Sequence, residues 1–367
     1  MTKSQIINFL LEKPGYLKEG KNRLALLLED RGEEVTVEEC EAALKEAKKI
    51  KEVSPGLTLK STWVSPDGNM GFSYKVDPDG DLSEIREEVK TKISTEKFDI
   101  PTKELGGNEI TVSIADLHIG AFVHGLRTTH DFDIDIARKA LHSVAANINA
   151  LNAKKVNMII LGDIIESFTG MNHPNSWQGI QFYGADLVTI SYEILGEFFS
   201  QIVNLSSIVI IGGNHDRYTS SNKEDVQGGI SKILTYFLQK AMPNMPITWD
   251  RMIVSKEYDG IVYNAAHGDL GFSRNPASDI ILRYSTNKDV FNLLLEGHWH
   301  SRRKKQPVNT KAVSWDTNNY RCYTVPSIFS GNFYSESMGY SSTPGFMIFW
   351  NNGEGLPITL DIPFNYA

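Results

Sequence analysis

The sequence predicts a large α/β domain over residues 108–367 behind a small helical domain over residues 1–76, and three features carry that prediction. Five apolar runs have the length of buried strands, helical patterns separate several of them, and the chain turns polar across residues 77–107. With 367 residues, 41% of them hydrophobic and 22% charged, the chain can build one large core and a smaller one and is too apolar for disorder.

Residues 1–55 read as three short helices. Ile6, Ile7, Leu10 and Leu11 give the first an apolar face, Pro14-Gly15 breaks it, and Leu24 to Leu28 mark the second. The third opens with Thr36-Val37-Glu38-Glu39, a capping box in which Thr36 and Glu39 satisfy each other's free backbone donors. Leu57–Val64 and Met70–Val76 then alternate around the turn residues Ser65-Pro66-Asp67-Gly68-Asn69, which predicts a hairpin. Two readings fit three helices and a hairpin: a winged helix-turn-helix, or a helical domain that packs on its neighbour or on another protein. Acidic and basic side chains nearly balance over residues 1–52, whereas a DNA reader usually carries a basic stripe. Residues 77–107 hold an amphipathic pattern near Leu82 to Ile93, then Pro101 and Gly106-Gly107, and read as a linker.

In the large domain the strand-length runs are Ile110–Ala115, Val156–Leu161, Ile208–Ile211, Ile261–Ala266 and Phe291–Leu295. Helical patterns at Ile136–Leu151 and Ile190–Val203 separate some of them, and Arg321–Val325 and Phe346–Trp350 read as later strands. A mixed sheet or two stacked sheets fits this order better than a purely doubly wound sheet. No repeat period, membrane-length apolar run or signal peptide is present, so the expected compartment is the cytoplasm, with no membrane partner. Cys40 and Cys322 stand far apart outside any CxxC pair and read as reduced thiols. The net charge of -8 argues against a surface that attracts nucleic acid everywhere, while leaving room for a local basic groove.

Each of the five runs ends in residues of metal-ligand type: Asp116-Leu117-His118, Gly162-Asp163, Gly213-Asn214-His215-Asp216, His267-Gly268-Asp269 and Gly297-His298-Trp299-His300. A lone strand-end histidine is usually structural. Here five of the nine histidines fall in such clusters, at the strand ends where open α/β sheets place their sites. Extended backbone alternates its side chains, so Asp116 and His118 are expected to aim at one point, and His298 and His300 likewise. Carboxylate and imidazole without thiolate suit manganese, iron or zinc, and argue against a magnesium-only or calcium site.

The order DxH, GD, GNHD, HGD, GHxH resembles the calcineurin-like metallophosphoesterase superfamily over roughly residues 110–350. The resemblance implies an αββα sandwich with two divalent metal ions, manganese first and iron or zinc next. It implies that Asp116, His118 and His300 bind one metal, that Asn214, His267 and His298 bind the other, and that Asp163 bridges them. Two such cations, bridged by a carboxylate, activate a shared water for in-line attack at phosphorus, so the expected reaction is phosphoester hydrolysis by metal-bound hydroxide. His215 is the expected general acid or transition-state stabiliser. The chain reads Gly162-Asp163-Ile164-Ile165-Glu166 where phosphoprotein phosphatases have GDxxDRG, which disfavours that branch. Glu166 is either the orienting partner of His215 or a solvated loop residue. Asp216 and Arg217 complete the catalytic candidates, Arg217 as a phosphate contact or as a surface ion pair.

Within the superfamily the chain is most similar to a phage and bacterial repair-exonuclease-like branch, on Asp133-Ile134-Asp135-Ile136-Ala137 and on Val325-Pro326-Ser327 before an aromatic stretch. That branch implies a nuclease in a bacterial or phage-infected cell, often a homodimer working with an ATPase. Trp177 and Tyr183, in the aromatic stretch Phe168–Tyr183, are either base-stacking residues or the packing of a cap. Arg302 and Arg303, in Ser301-Arg302-Arg303-Lys304-Lys305, either neutralise phosphates or are simply solvated. DNA is the leading substrate. A small-molecule phosphodiesterase or pyrophosphohydrolase, acting on cyclic nucleotides, nucleotides or lipid-sugar diphosphates, stays open, as does a catalytically silent DNA-binding scaffold.

Overall fold

In a computed structural model, the chain divides into two compact units, Met1–Lys92 and Ile93–Ala367. The structure describes residues 6–7, 9–10, 20–29, 32–33, 35–53, 57–64, 70–76, 96–170, 179–219, 228–269, 277–300, 303–304, 319–339 and 343–364. Of these, only the backbone is described for 46–53, 57–64, 70–76, 277–279, 282, 303 and 304.

In the first unit, helical residues at 6, 7, 9 and 10 precede α1 (Lys21–Glu29) and α2 (Val37–Val53). Their apolar faces close a small core of Ile6, Ile7, Leu10, Leu24, Leu28, Cys40 and Leu44. The capping box forms as the sequence predicts, since Thr36 N–H donates to Glu39 Oε2 at 2.9 Å and Glu39 N–H to Thr36 Oγ1 at 3.2 Å. The hairpin follows as β1 (Leu57–Val64) and β2 (Met70–Val76), antiparallel. The amphipathic pattern at Leu82–Ile93 lies outside the described residues.

The second unit holds two sheets. The larger runs β13-β12-β3-β4-β5-β6, comprising β3 (Glu109–Ile114), β4 (Lys155–Ile160), β5 (Leu205–Ile211), β6 (Ile247–Asp250), β12 (Gly345–Asn351) and β13 (Pro357–Pro363). The smaller runs β10-β11-β9-β8-β7, comprising β7 (Ile253–Tyr258), β8 (Ile261–Ala266), β9 (Phe291–Glu296), β10 (Arg303–Lys304) and β11 (Tyr320–Thr324). Strands β3 to β6 are parallel, as are β8, β9 and β11, while β7, β10, β12 and β13 run antiparallel to their neighbours.

Alternation along these strands divides the core. Ile159, Val209, Ile211 and Phe349 of the large sheet pack directly on Tyr263, Leu293 and Tyr323 of the small one. The opposite residues of the large sheet, Val112, Met158, Ile160, Ile210 and Ile348, lie against α3 (Ile134–Ala150), α4 (Gly184–Ser200) and α5 (Gly229–Ala241). Across the small sheet, Ile280 of α6 (Ala277–Tyr284) covers Leu294 and Cys322. The layers are therefore α/β/β/α, as the resemblance implies. Asp133 caps α3, accepting the backbone N–H groups of Asp135 and Ile136.

Part of the stretch that reads as a linker packs on the large unit. Phe98 packs edge-on against Tyr192 of α4 at 5.5 Å, and Asn204 bonds the backbone of Pro101 and Lys103. An apolar ring and paired backbone groups bind residues 98–103 to the large unit despite their polar surroundings.

Candidate metal centre

Because β3, β4, β5, β8 and β9 are parallel within their sheets and the sheets face each other, their five carboxyl-end loops meet at one end of the sandwich. The backbone bends sharply there. Asp116, His118, Asp163, His298 and His300 have φ of 51, 45, 49, 68 and 45°, five of the eight described non-glycine residues with positive φ. Such conformations cost energy and persist only where the surroundings enforce them, commonly at functional sites. Convergence therefore comes from these bends, which corrects the expectation from strand alternation: His298 and His300 go to different donor groups. Glycine lets the loops touch, since a Cβ on Gly213 would lie 2.2 Å from Asp163 Oδ1.

Three groups of side chains bring potential ligand atoms within 4.8 Å of one another: Asp116, His118 and His300; Asp163, His267 and His298; and His118, Glu166 and His215. In the first, His118 Nε2 faces His300 Nε2 at 3.3 Å, with Asp116 Oδ1 3.9 Å from the latter. In the second, His267 Nε2 is 3.1 Å from Asp163 Oδ2 and 2.9 Å from Asn214 Oδ1. Asp163 Oδ2 is also 3.9 Å from His118 Nε2, between the two groups.

Glu166 departs from its expected role. Its carboxylate bonds His118 Nδ1 at 2.5 Å and stands 3.7 Å from His215 Nδ1, which instead bonds the Glu166 backbone carbonyl at 2.7 Å. The carboxylate thus orients a ligand-type histidine, while the backbone orients His215. His267 Nδ1 is likewise fixed, by the Leu161 carbonyl at 2.6 Å. Asp216 is fully buried and accepts the N–H groups of Ile164, Ile165 and Gly213, so it joins two loops and does not face a substrate. That corrects its placement among the catalytic candidates. Phe329, which the sequence did not single out, has its ring 4.6 Å from His118 and 5.8 Å from His300. Its only sequence signal is the aromatic stretch after Val325-Pro326-Ser327.

Burial sets the charge states and the imidazoles modify them. Burial raises Asp116 to about 6 against the pull of His267, and raises Asp216 to about 6. Burial opposes ionisation of Asp163, yet His267 and His215 hold it well below the ordinary carboxylate range. Burial disfavours a charged His118, but the Glu166 carboxylate outweighs it and lifts the imidazole to about 9. Burial and His267 lower His298 to about 4, and burial and His118 hold His300 well below its usual value, which leaves both rings neutral with lone pairs free to ligate.

This donor set fits divalent cations. Glu166 holds a proton on His118 Nδ1, so a cation that displaced the Nε2 proton of His118 would meet the Nε2 atoms of both His118 and His300 together with Asp116. Ionised carboxylates this deep in a protein are normally paired or coordinate a metal.

Arg217 is half-buried beside Asp216, and Tyr183 is exposed at the start of α4. Trp177 and Arg302 lie outside the described residues, and Arg303 is placed only by its backbone in β10.

No protein-family model matches the chain, and no curated protein matches it. Solved structures do. Zinc-bound Vps29 from Entamoeba histolytica aligns over 70% of this chain and 99% of its own, at 11% identity and TM-score 0.33. The phosphoesterase YfcE from E. coli aligns over 70% and 100%, at 14% identity and TM-score 0.32. Phosphopantetheinyl hydrolase from Mycobacterium tuberculosis aligns over 61% and 91%, at 11% identity and TM-score 0.30. Similarity this slight decides nothing about chemistry, which is read from the side chains.

Proposed function

We propose that this chain is a two-metal-dependent phosphodiester hydrolase acting on nucleic acid, with DNA as the leading substrate. The observation that carries the reading is the position of Asp163 Oδ2 between two His-rich donor groups, 3.1 Å from His267 Nε2 and 3.9 Å from His118 Nε2. In this reading Asp116, His118 and His300 hold one cation, Asn214, His267 and His298 hold the other, and Asp163 serves both. Manganese is assigned first, iron or zinc next. Two cations held there would supply Lewis acidity toward phosphoester oxygens and would lower the pKa of a water.

The other steps belong to the chain's own residues. Glu166 fixes the tautomer of His118, Nδ1–H toward the carboxylate and Nε2 toward the cation. A carbonyl oxygen only accepts, so His215 Nδ1 carries a proton that it donates to the Glu166 carbonyl. Nε2 of His215 then holds the second proton, which passes to the leaving oxygen as the P–O bond breaks. The Glu166 carboxylate stands 3.7 Å from the same ring's Nδ1. Asp216 keeps the loops of Asp163 and Asn214 in register.

The proposed setting is the cytoplasm of a bacterial or phage-infected cell, with a homodimer and an ATPase partner as further proposals. The test is manganese-dependent hydrolysis, against a chelated control, of single- and double-stranded DNA, cyclic nucleotides, nucleoside diphosphate esters and a phosphoprotein. Cleavage of DNA sustains the reading. Cleavage of the small esters alone replaces the substrate, and no bound metal after manganese loading returns the chain to a silent scaffold.

A further inference from the structure

Beside the metal centre, one short helix, α7 (Phe333–Ser337), buries none of its residues. Phe333 is 74% exposed and Tyr334 68%, and Met338, just beyond, is 52% exposed. Five residues have no helical stability of their own, so this helix is held from outside. Asn332 and Ser335 form a reciprocal capping box at its start. The Glu336 carboxylate accepts the backbone N–H groups of Arg127 at 3.0 Å, Thr128 at 2.9 Å and Thr129 at 2.9 Å, and the Thr128 hydroxyl at 3.0 Å. The aromatic side chains are thus presented to solvent on a fixed support, which keeps the ordering cost of a contact low.

The support connects directly to the metal centre. Phe329, four residues before Phe333 and so within about 14 Å of it along the chain, packs on His118 and His300, and its N–H donates to the Asp116 carbonyl. Its ring also meets Phe132 at 5.0 Å, and Ser330 bonds the carbonyl of His130, which ties the loop gripping α7 to the same segment. At that end of the small sheet, Arg303 and Lys304 form the edge strand opposite Thr324 and Tyr323, and Arg127 is exposed in the gripping loop.

An exposed arginine, Arg127, in the loop that grips α7 and rigid exposed aromatics on α7, joined through Phe329 to a phosphoester site, match a strand that alternates phosphates with planar bases. Duplex DNA hides its base faces in the stack, whereas a single strand offers them. Resting on the two-metal reading above, we infer that Phe333 and Tyr334 are a stacking platform for unpaired bases of a single-stranded nucleic acid whose scissile phosphodiester lies at the metal centre.

The test measures fluorescence anisotropy of manganese-loaded protein with a slowly cleaved, phosphorothioate-linked thymidine oligonucleotide of about a dozen residues, and with an abasic strand of equal length. The wild type should bind the base-bearing strand at least ~10-fold more tightly, and the F333S/Y334S double variant should bind both strands alike. A wild type that treats the two strands alike overturns the platform, as does a variant that keeps the preference; the surface then serves another partner, such as a protein. Hydrolysis of bis(p-nitrophenyl) phosphate by the wild type is measured alongside. Its absence overturns the two-metal reading and the substrate with it, whereas hydrolysis without a base preference overturns the platform alone.

Discussion

The two ends of the sandwich bury polar groups in opposite ways. At the amino ends of β3, β4 and β5, Asn157 is fully buried and satisfied: it donates to Glu109 Oε1 and accepts from the Ser206 and Ser207 hydroxyls. Ser207 also reaches Tyr258, and Lys155 pairs with Glu109 at 3.0 Å. Donors meet acceptors, and none of these residues has a positive φ. At the carboxyl ends, carboxylates and imidazoles crowd together, two Nε2 atoms face each other at 3.3 Å, and five residues occupy strained conformations. One end closes its hydrogen bonds for stability; the other holds ligand atoms in readiness for a cation.

Substitutions at the two ends should therefore fail differently. The largest effect is expected from Asp163→Asn, which keeps the shape but removes the charge between the donor groups. Hydrolysis should fall by at least ~1,000-fold, and metal analysis should show the loss of bound metal. His215→Ala should retain its metal and turn over about 100-fold more slowly; unchanged turnover would refute the proton role. Glu166→Gln keeps a hydrogen-bonding group but no charge beside His118. Metal affinity measured by titration should weaken about 10- to 100-fold, and an unaltered affinity would leave Glu166 a loop residue only.

At the amino end, Asn157→Ala should cost about 1–3 kcal/mol of stability in denaturant, because Glu109 and two hydroxyls each lose one buried partner, with metal content untouched. A change in metal content would erase the distinction between the ends. The smallest effect concerns Glu336, whose carboxyl is lowered from 4.5 to about 2 by the backbone N–H groups of Thr128 and Arg127. Its folded pKa lies below the unfolded one, so its hold on the loop is complete above about pH 4.5 and fades as pH falls toward 2. Amide exchange at Arg127, Thr128 and Thr129, corrected for intrinsic rates, should accelerate over that window.

Much of the fold was legible. The runs at Ile110, Val156, Ile208, Ile261 and Phe291 each became a strand, because a segment buried on both faces is mostly apolar. The Thr36–Glu39 box formed because capping is local. Strands β6, β7, β10 and β13 carry no clear strand pattern, since edge strands with a wet face read much like loops. Packing of Phe98 on Tyr192 carried part of the polar stretch into the large unit, a contact that local composition does not encode.

In the site, the residue types and their places at strand ends were set by the sequence alone, because ligand chemistry belongs to the side chain and strand length to local patterning. Which groups share a point was decided only in three dimensions. The carboxylate of Glu166 bonds His118 and stands 3.7 Å from His215, and Asp216 turned inward to three backbone donors. Each outcome depends on backbone bends of positive φ and on contacts between loops about 50 positions apart in the chain, which packing fixes.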